Sequence, residues 1–348
     1  MKKHVLFLAA ATVAMASYAQ TSHTVSNNPA NPAQFTEIQE AINAASDGDT
    51  IYVAGSATNY GNVLVNKRVV LIGAGWIQDG ANSRSEISQL DITATTNNEG
   101  GSGSVISGFL ITADVDGDPD EVISDVIIER CLFNRTEVIN ISLRNNENWI
   151  FRNNIVYQDQ FNATHNFLCG TAINLRIENN IFQGETANGQ NSSLFQVVSS
   201  SAIVTNNVFY DYVLEFDNST VANNIFIQQN FTDRGRTSEN ATFNNNIFFG
   251  ENNPSGATNT LNNNIFDNPG FESADTDFYN YPADDITLAS ASPGKNAGTD
   301  GTDIGVFGGN FPMVFEPANP EITQLLINTV QLPVGGELEF TVQATGRQ

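Results

Sequence analysis

Positive charge is what this sequence has least of: its 348 residues hold 14 Lys and Arg against 38 Asp and Glu. The net charge of −24 disfavours nucleic acid and anionic lipid as partners. It disfavours polyanionic glycans too, unless a divalent cation bridges the two. Cysteine is nearly absent. Cys131 and Cys169 cannot make a disulfide framework and read as buried thiols, with one bridge between them as the alternative. Three histidines leave little material for a Ser/His/Asp relay. After residue 20 no apolar run is long enough to span a bilayer. After residue 46 hardly any stretch favours a helix.

What is present begins with "MKKHVLFLAAATVAMASYAQ", two lysines and a short apolar run ending in small residues at Ser17 and Ala19. This pattern predicts a signal peptide over 1–19, hence an exported chain acting outside the cell, at its surface or in the periplasm. Its removal takes Lys2 and Lys3, leaving 12 basic against 38 acidic groups and a net charge of −26. Residues 20–33 read as a linker.

The body of the chain is written around one recurring phrase: "FRNNIVY", "IENNIFQ", "VTNNVFY", "VANNIFI", "FNNNIFF" and "LNNNIFD". Indexed on the second asparagine, the copies fall at Asn154, Asn180, Asn207, Asn224, Asn246 and Asn264, with Cys131 in the same place of an earlier copy. The steps are 23, 26, 27, 17, 22 and 18 residues. Three residues before each index is apolar, and two after it is Phe133, Val156, Phe182, Phe209, Phe226, Phe248 or Phe266. A short unit of this kind cannot bury its own apolar face and must stack on its neighbours. A coil of parallel strands does so. Asparagine then serves twice, tolerating the left-handed backbone at a sharp bend and hydrogen-bonding from turn to turn through its side-chain amide.

At this point the chain resembles the right-handed parallel β-helix proteins of the pectin-lyase-like superfamily, over residues 34–311. The opening "QFTEIQEAINAASDGDTIYVAGSATNYGNVLVNKRVVLIGAG" and the closing "ASASPGKNAGTDGTDIGVFGGN" carry the likeness. It implies an all-β coil of about ten turns and an N-terminal capping helix. Phe35, Ile38, Ala41, Ile42 and Ala45 form that helix's apolar stripe, and Thr36 with Gln39 a capping-box pattern. Residues 312–348 read as a β-hairpin or partial sandwich tail that covers the open end of the coil.

Catalytic members of the superfamily act mostly on polysaccharides. This chain lacks their Gly-His-Gly and Arg-x-Lys strings and any Lys/Arg pair at strand spacing, so non-catalytic polysaccharide binding is the expected function. The alternatives are a polysaccharide lyase or glycoside hydrolase on the same fold, or a structural or adhesive surface protein. The variable stretches 157–172, 183–201, 227–241 and 249–258 leave the framework at one phase and are expected to project on one side. Their candidate sugar contacts are Tyr157, His165, Tyr210, Asp211, Tyr212, Arg234 and Arg236. "DVDGDPDE" puts Asp114, Asp116, Asp118 and Asp120 at alternate positions, a spacing that suits calcium, although Pro119 departs from the EF-hand pattern. No cofactor is required by this reading, and a monomer is expected. Glu129, Arg152 and Glu178 hold the same position in consecutive copies and predict an outer ladder of alternating charge.

Overall fold

The computed structural model describes residues 20–76, 84–94, 100–118, 120–134, 139–143, 145–157, 165–170, 172–184, 186–187, 190–191, 194–198, 201–227, 238–250, 254, 256–274, 279, 283–315, 321–327 and 340–345. Short strands rich in Ile, Val and Phe, broken by Asn and Gly, pair in parallel into three long sheets of 11, 8 and 7 strands. The chain visits the sheets in rotation. Phe151, for example, pairs with Ile128 of the turn before and Ile177 of the turn after. Six successive turns contribute a strand to all three sheets, from Val70–Gly73, Glu86–Ile87 and Leu90–Ile92 to Ile203–Thr205, Val208–Tyr210 and Val213–Asp217. Turns before and after lack one sheet or two among the described residues, so the expected ten turns reduce to about six complete ones.

The two asparagines of each phrase divide the work. The first sits at the bend: Asn153, Asn179, Asn206, Asn223, Asn245 and Asn263 all have φ between 51° and 58°. Gly108 and Arg130 fill the same bend in earlier turns, at φ 78° and 53°. The second asparagine points into the coil and builds the ladder. Asn180 Oδ1 accepts both the backbone N–H (2.8 Å) and the side-chain amide (3.1 Å) of Asn154. Its own Nδ2 donates to Phe151 O at 2.8 Å and to Asn207 Oδ1 at 3.0 Å. The same set recurs at Asn207, Asn224 and Asn246 and ends on Asn264. At the other end, Cys131 N–H donates to Asn154 Oδ1 at 2.9 Å.

Held in this register, the rings two positions on stack through the interior. Phe182, Phe209, Phe226 and Phe248 follow one another at centroid distances of 4.9, 5.1 and 5.0 Å, with planes within 13°. The helix Ile38–Ala44 buries Ile38, Ala41 and Ile42 in the same core. Its capping box does not form. No side chain caps its N-terminus at Glu37, because Gln39 bonds instead to both backbone groups of Leu64 in a neighbouring strand, at 3.0 and 3.2 Å.

A second apolar core lies outside the coil. The residues on either side of each stacked ring point outward, yet Ile155, Tyr157, Ile181, Val208, Tyr210, Ile225, Ile227 and Ile247 are buried. Tyr279 and a segment spanning 283–313 cover them, contributing Ile286, Leu288, Ile304, Val306 and Met313. This strap is pinned by the side chains of the bend asparagines. Asn245 donates to Ala297 O (2.8 Å), and Asn223 exchanges bonds with Thr299 (3.0 and 2.8 Å). Asn206 donates to Gly305 O (3.3 Å), and Asn179 to Val306 O and Gly308 O (2.9 and 2.8 Å). One turn further along, the Arg152 guanidinium lies 4.5 Å from the centre of the Phe311 ring.

Among the described residues nothing pairs with the outer edge of the last strand at the end of the coil. The last strand of the 11-stranded sheet, Thr260–Asn262, is exposed throughout, as is Phe266 at the foot of the ring stack. The tail strands Glu321–Ile327 and Phe340–Thr345 pair with each other antiparallel and add no strand to that edge.

Removing a mid-ladder amide leaves several buried groups unpaired, each costing about 1–3 kcal/mol. Asn207→Ala is therefore expected to lose at least about 3 kcal/mol in denaturant unfolding. Asn223→Gly keeps the bend and deletes only the strap contacts, so hydrogen exchange should accelerate about tenfold or more over 294–313 and stay unchanged in the coil.

Candidate functional site

The structure does bring two of the predicted tyrosines together, but not at the surface. Tyr157 and Tyr210 meet Tyr279 under the strap, at centroid distances of 6.5 and 6.1 Å, and both are buried. Tyr212 turns the other way, into the coil, where it meets Phe182 and Phe195 edge-on. Burial pushes its hydroxyl well above the usual range. Asp211 is also buried and occupies a bend at φ 53°, its N–H donating to Ile227 O. None of these four offers a ring face or a carboxylate to solvent, which corrects the expectation of a sugar-stacking surface there. Between Ile155 and Ile247 both faces of the second sheet are covered, one by the coil interior and one by the strap. His165 begins the strand His165–Gly170, its side chain outside the described part, and Arg234 and Arg236 lie outside the described residues.

The variable stretches are not purely loops. Two of them contain the third-sheet strands His165–Gly170 and Leu194–Val198. Length variation thus falls largely between the second and third sheets, together with the strand that follows.

The acidic string does not converge. Asp114 Oδ1 accepts the N–H of Asn140 at 2.9 Å, Asp116 lies on a strand, and Asp120 is exposed. Burial opposes ionisation of Asp118, but N–H groups of Asp120, Ala94 and Glu121 outweigh it and hold the carboxyl below its usual range. Among the described residues no group of three His, Cys, Asp or Glu side chains stands close enough to hold a metal ion. The charge ladder forms only in part. Arg152 Nε bonds Glu129 at 2.7 Å, whereas Glu178 pairs with Arg176 of its own strand at 2.8 Å.

Two sheets keep an open outer face: the 7-stranded sheet, where Leu64, Asp91, Asp116, Gln196 and Glu215 are exposed or half-exposed, and the 11-stranded sheet. The strands of the 11-stranded sheet pair in register, so outward side chains form two columns. One column reads Ser22, Thr50, Val70, Val105, Ile127, Ile150, Arg176, Ile203, Thr220, Thr242, Thr260. None of its members is buried, and Ile203 is 43% exposed. At the spacing of paired strands it runs roughly 48 Å. It contains no acidic residue, and its single charge, Arg176, is paired with Glu178. The second column adds exposed or half-exposed polar groups at its far end, Thr205, Asn244 and Asn262. Sequence inspection missed this strip because its members lie outside the asparagine phrase; the signal was the Ile or Thr that stands immediately before the phrase's inward apolar residue in every copy but the one with Arg176.

No family model matches the sequence, and no curated protein matches it. Among solved structures, a crystal structure of pectate lyase Pel9A is similar, with 15% identity and a TM-score of 0.46, covering 84% of this chain and 98% of that one. The coil is defined by its own strand register, independently of this likeness. No helix among the described residues is long and apolar enough to cross a membrane.

Cys131 and Cys169 are free and fully buried. Burial pushes the Cys131 thiol up to about 12 and the Cys169 thiol well above its ordinary value. Native protein at pH 8 should therefore yield no thiol to a colorimetric disulfide reagent, and two equivalents after guanidinium unfolding.

Proposed function

We propose that this is an exported, non-catalytic protein that binds extracellular polysaccharide along the outer face of its 11-stranded sheet. The observation that carries the reading is a strip of aliphatic and hydroxyl side chains with no acidic member and one paired cation, Arg176, on a chain of net charge −24. A long linear polymer with alternating apolar ring faces and hydroxyl edges suits such a surface. Ile127, Ile150 and Ile203 give apolar contact, while Thr220, Thr242 and Thr260 supply hydroxyls that both donate and accept. The regular strand spacing repeats these contacts, so many weak interactions add along one chain. A column free of carboxylates leaves none to desolvate where it is covered, and Glu129 and Glu178 in the neighbouring column are already paired with Arg152 and Arg176.

The test is affinity electrophoresis in gels containing neutral or acidic polysaccharides. Retardation by at least one of them is expected, and Thr220→Glu with Thr242→Glu should weaken it about tenfold or more by placing buried charge in the contact. Absence of retardation by every polymer would remove the binding reading. Release of new reducing ends or unsaturated products from a retained polymer, with or without calcium, would overturn its non-catalytic part.

A further inference from the structure

We propose that the N-terminal end of the strip carries a subsite for the terminal ring of a neutral oligosaccharide, with Tyr52 as its platform. The assignment rests on the glycan-binding reading above and adds to it a position, a ligand class and a direction. Tyr52 is 40% exposed and points outward from the strand Thr50–Val53. It stands in register between Thr24 on one side and Ile72 on the other. It lines a groove of about 530 Å³ together with Asn31, Pro32, Thr24 and Ala54.

The chemistry of the lining selects the ligand. The Tyr52 ring offers an apolar face to the C–H side of a pyranose, and Pro32 a second apolar wall. The exposed Asn31 amide and the Thr24 hydroxyl bond sugar hydroxyls; Thr24 Oγ1 already accepts the Gln34 N–H at 3.3 Å and retains its own proton to donate. No charged side chain lines the groove, so a uronate or sulfated ring would lose hydration there without gaining a counter-charge.

Its place in the fold selects the end of a chain over its middle. Ser22–Val25 is the terminal strand of the sheet, and the chain after it loops round so that Phe35 bridges Val25 in parallel. Ser26 N–H donates to Phe35 O, and Phe35 N–H to Thr24 O, both near 3 Å. Asn31 and Pro32 lie on that returning segment and wall off the groove, so a polymer running along the strip stops there.

The experiment is calorimetric titration with neutral hexasaccharides of glucose, mannose and galactose and with an acidic hexasaccharide, for wild type, Tyr52→Ala, Tyr52→Phe and the Thr220→Glu, Thr242→Glu protein. Thermal unfolding confirms that each exposed-site variant is folded. At least one neutral probe should bind, with affinity about tenfold weaker in Tyr52→Ala and nearly unchanged in Tyr52→Phe. Equal binding by Tyr52→Ala and wild type, with the threonine variant defective, would overturn the subsite and leave the strip reading standing. A Tyr52-dependent preference for the acidic probe would overturn the neutral assignment. If neither hexasaccharides nor polymers bind wild type, the glycan-binding reading fails and the subsite with it.

Discussion

The structure depends on what happens to amide groups in a corner that water cannot reach. Wherever the chain turns from the first sheet to the second, a backbone N–H and a carbonyl face the interior. Left unpaired, each would cost more than a typical surface contact returns. The inward asparagine of the following turn bonds both, and its remaining valences are met by its own neighbours in the column. A slip of one residue would break all of these bonds at once. The ladder therefore fixes register, and register sets the Phe stack, the outward columns and the positions of the bend asparagines.

Those bend asparagines connect the coil to the strap. Their backbone conformation is required by the corner, but their side chains point out and are free to bond another segment. They grip the carbonyls of 297–308, and the apolar side chains of the strap close over the second sheet. The outcome is a molecule with two cores sharing one sheet. On the open face of the first sheet one column carries no acidic residue, and acidic residues elsewhere often serve structure, with Asp285 accepting the Thr287 N–H and Asp303 pairing with Lys295 at 2.7 Å.

The coil and its ladder were legible in the sequence because the signals are local. An apolar residue, two asparagines, an aliphatic and an aromatic stand within six positions, and the stacking follows from repetition. The strap was not legible in the same way. Its partners lie 52 to 129 residues away in sequence, and nothing local marks Ala297 or Gly308 as acceptors. A hint existed. Runs such as "IVY", "VFY" and "IFI" are apolar at three consecutive positions, whereas a strand with one wet face alternates. Read as covered on both sides, they would have placed Tyr157 and Tyr210 in a core from the start. Tyr212 followed a different rule, since its turn is short and carries it from an outward strand directly into the interior. The number of turns was overread because the phrase marks the first and second sheets and says nothing about whether the third is present.

The strap also works as a gauge. It touches four consecutive bends, at Asn179, Asn206, Asn223 and Asn245, each one strand spacing below the last. Adding or deleting a whole repeat within that stretch would shift every contact beyond it by one rung, and the covering residues would no longer meet their sheet. Upstream of Asn153 no such clasp is seen among the described residues. Duplication of turns, the simplest way for a solenoid to grow, is therefore constrained in the C-terminal half and comparatively free in the N-terminal half.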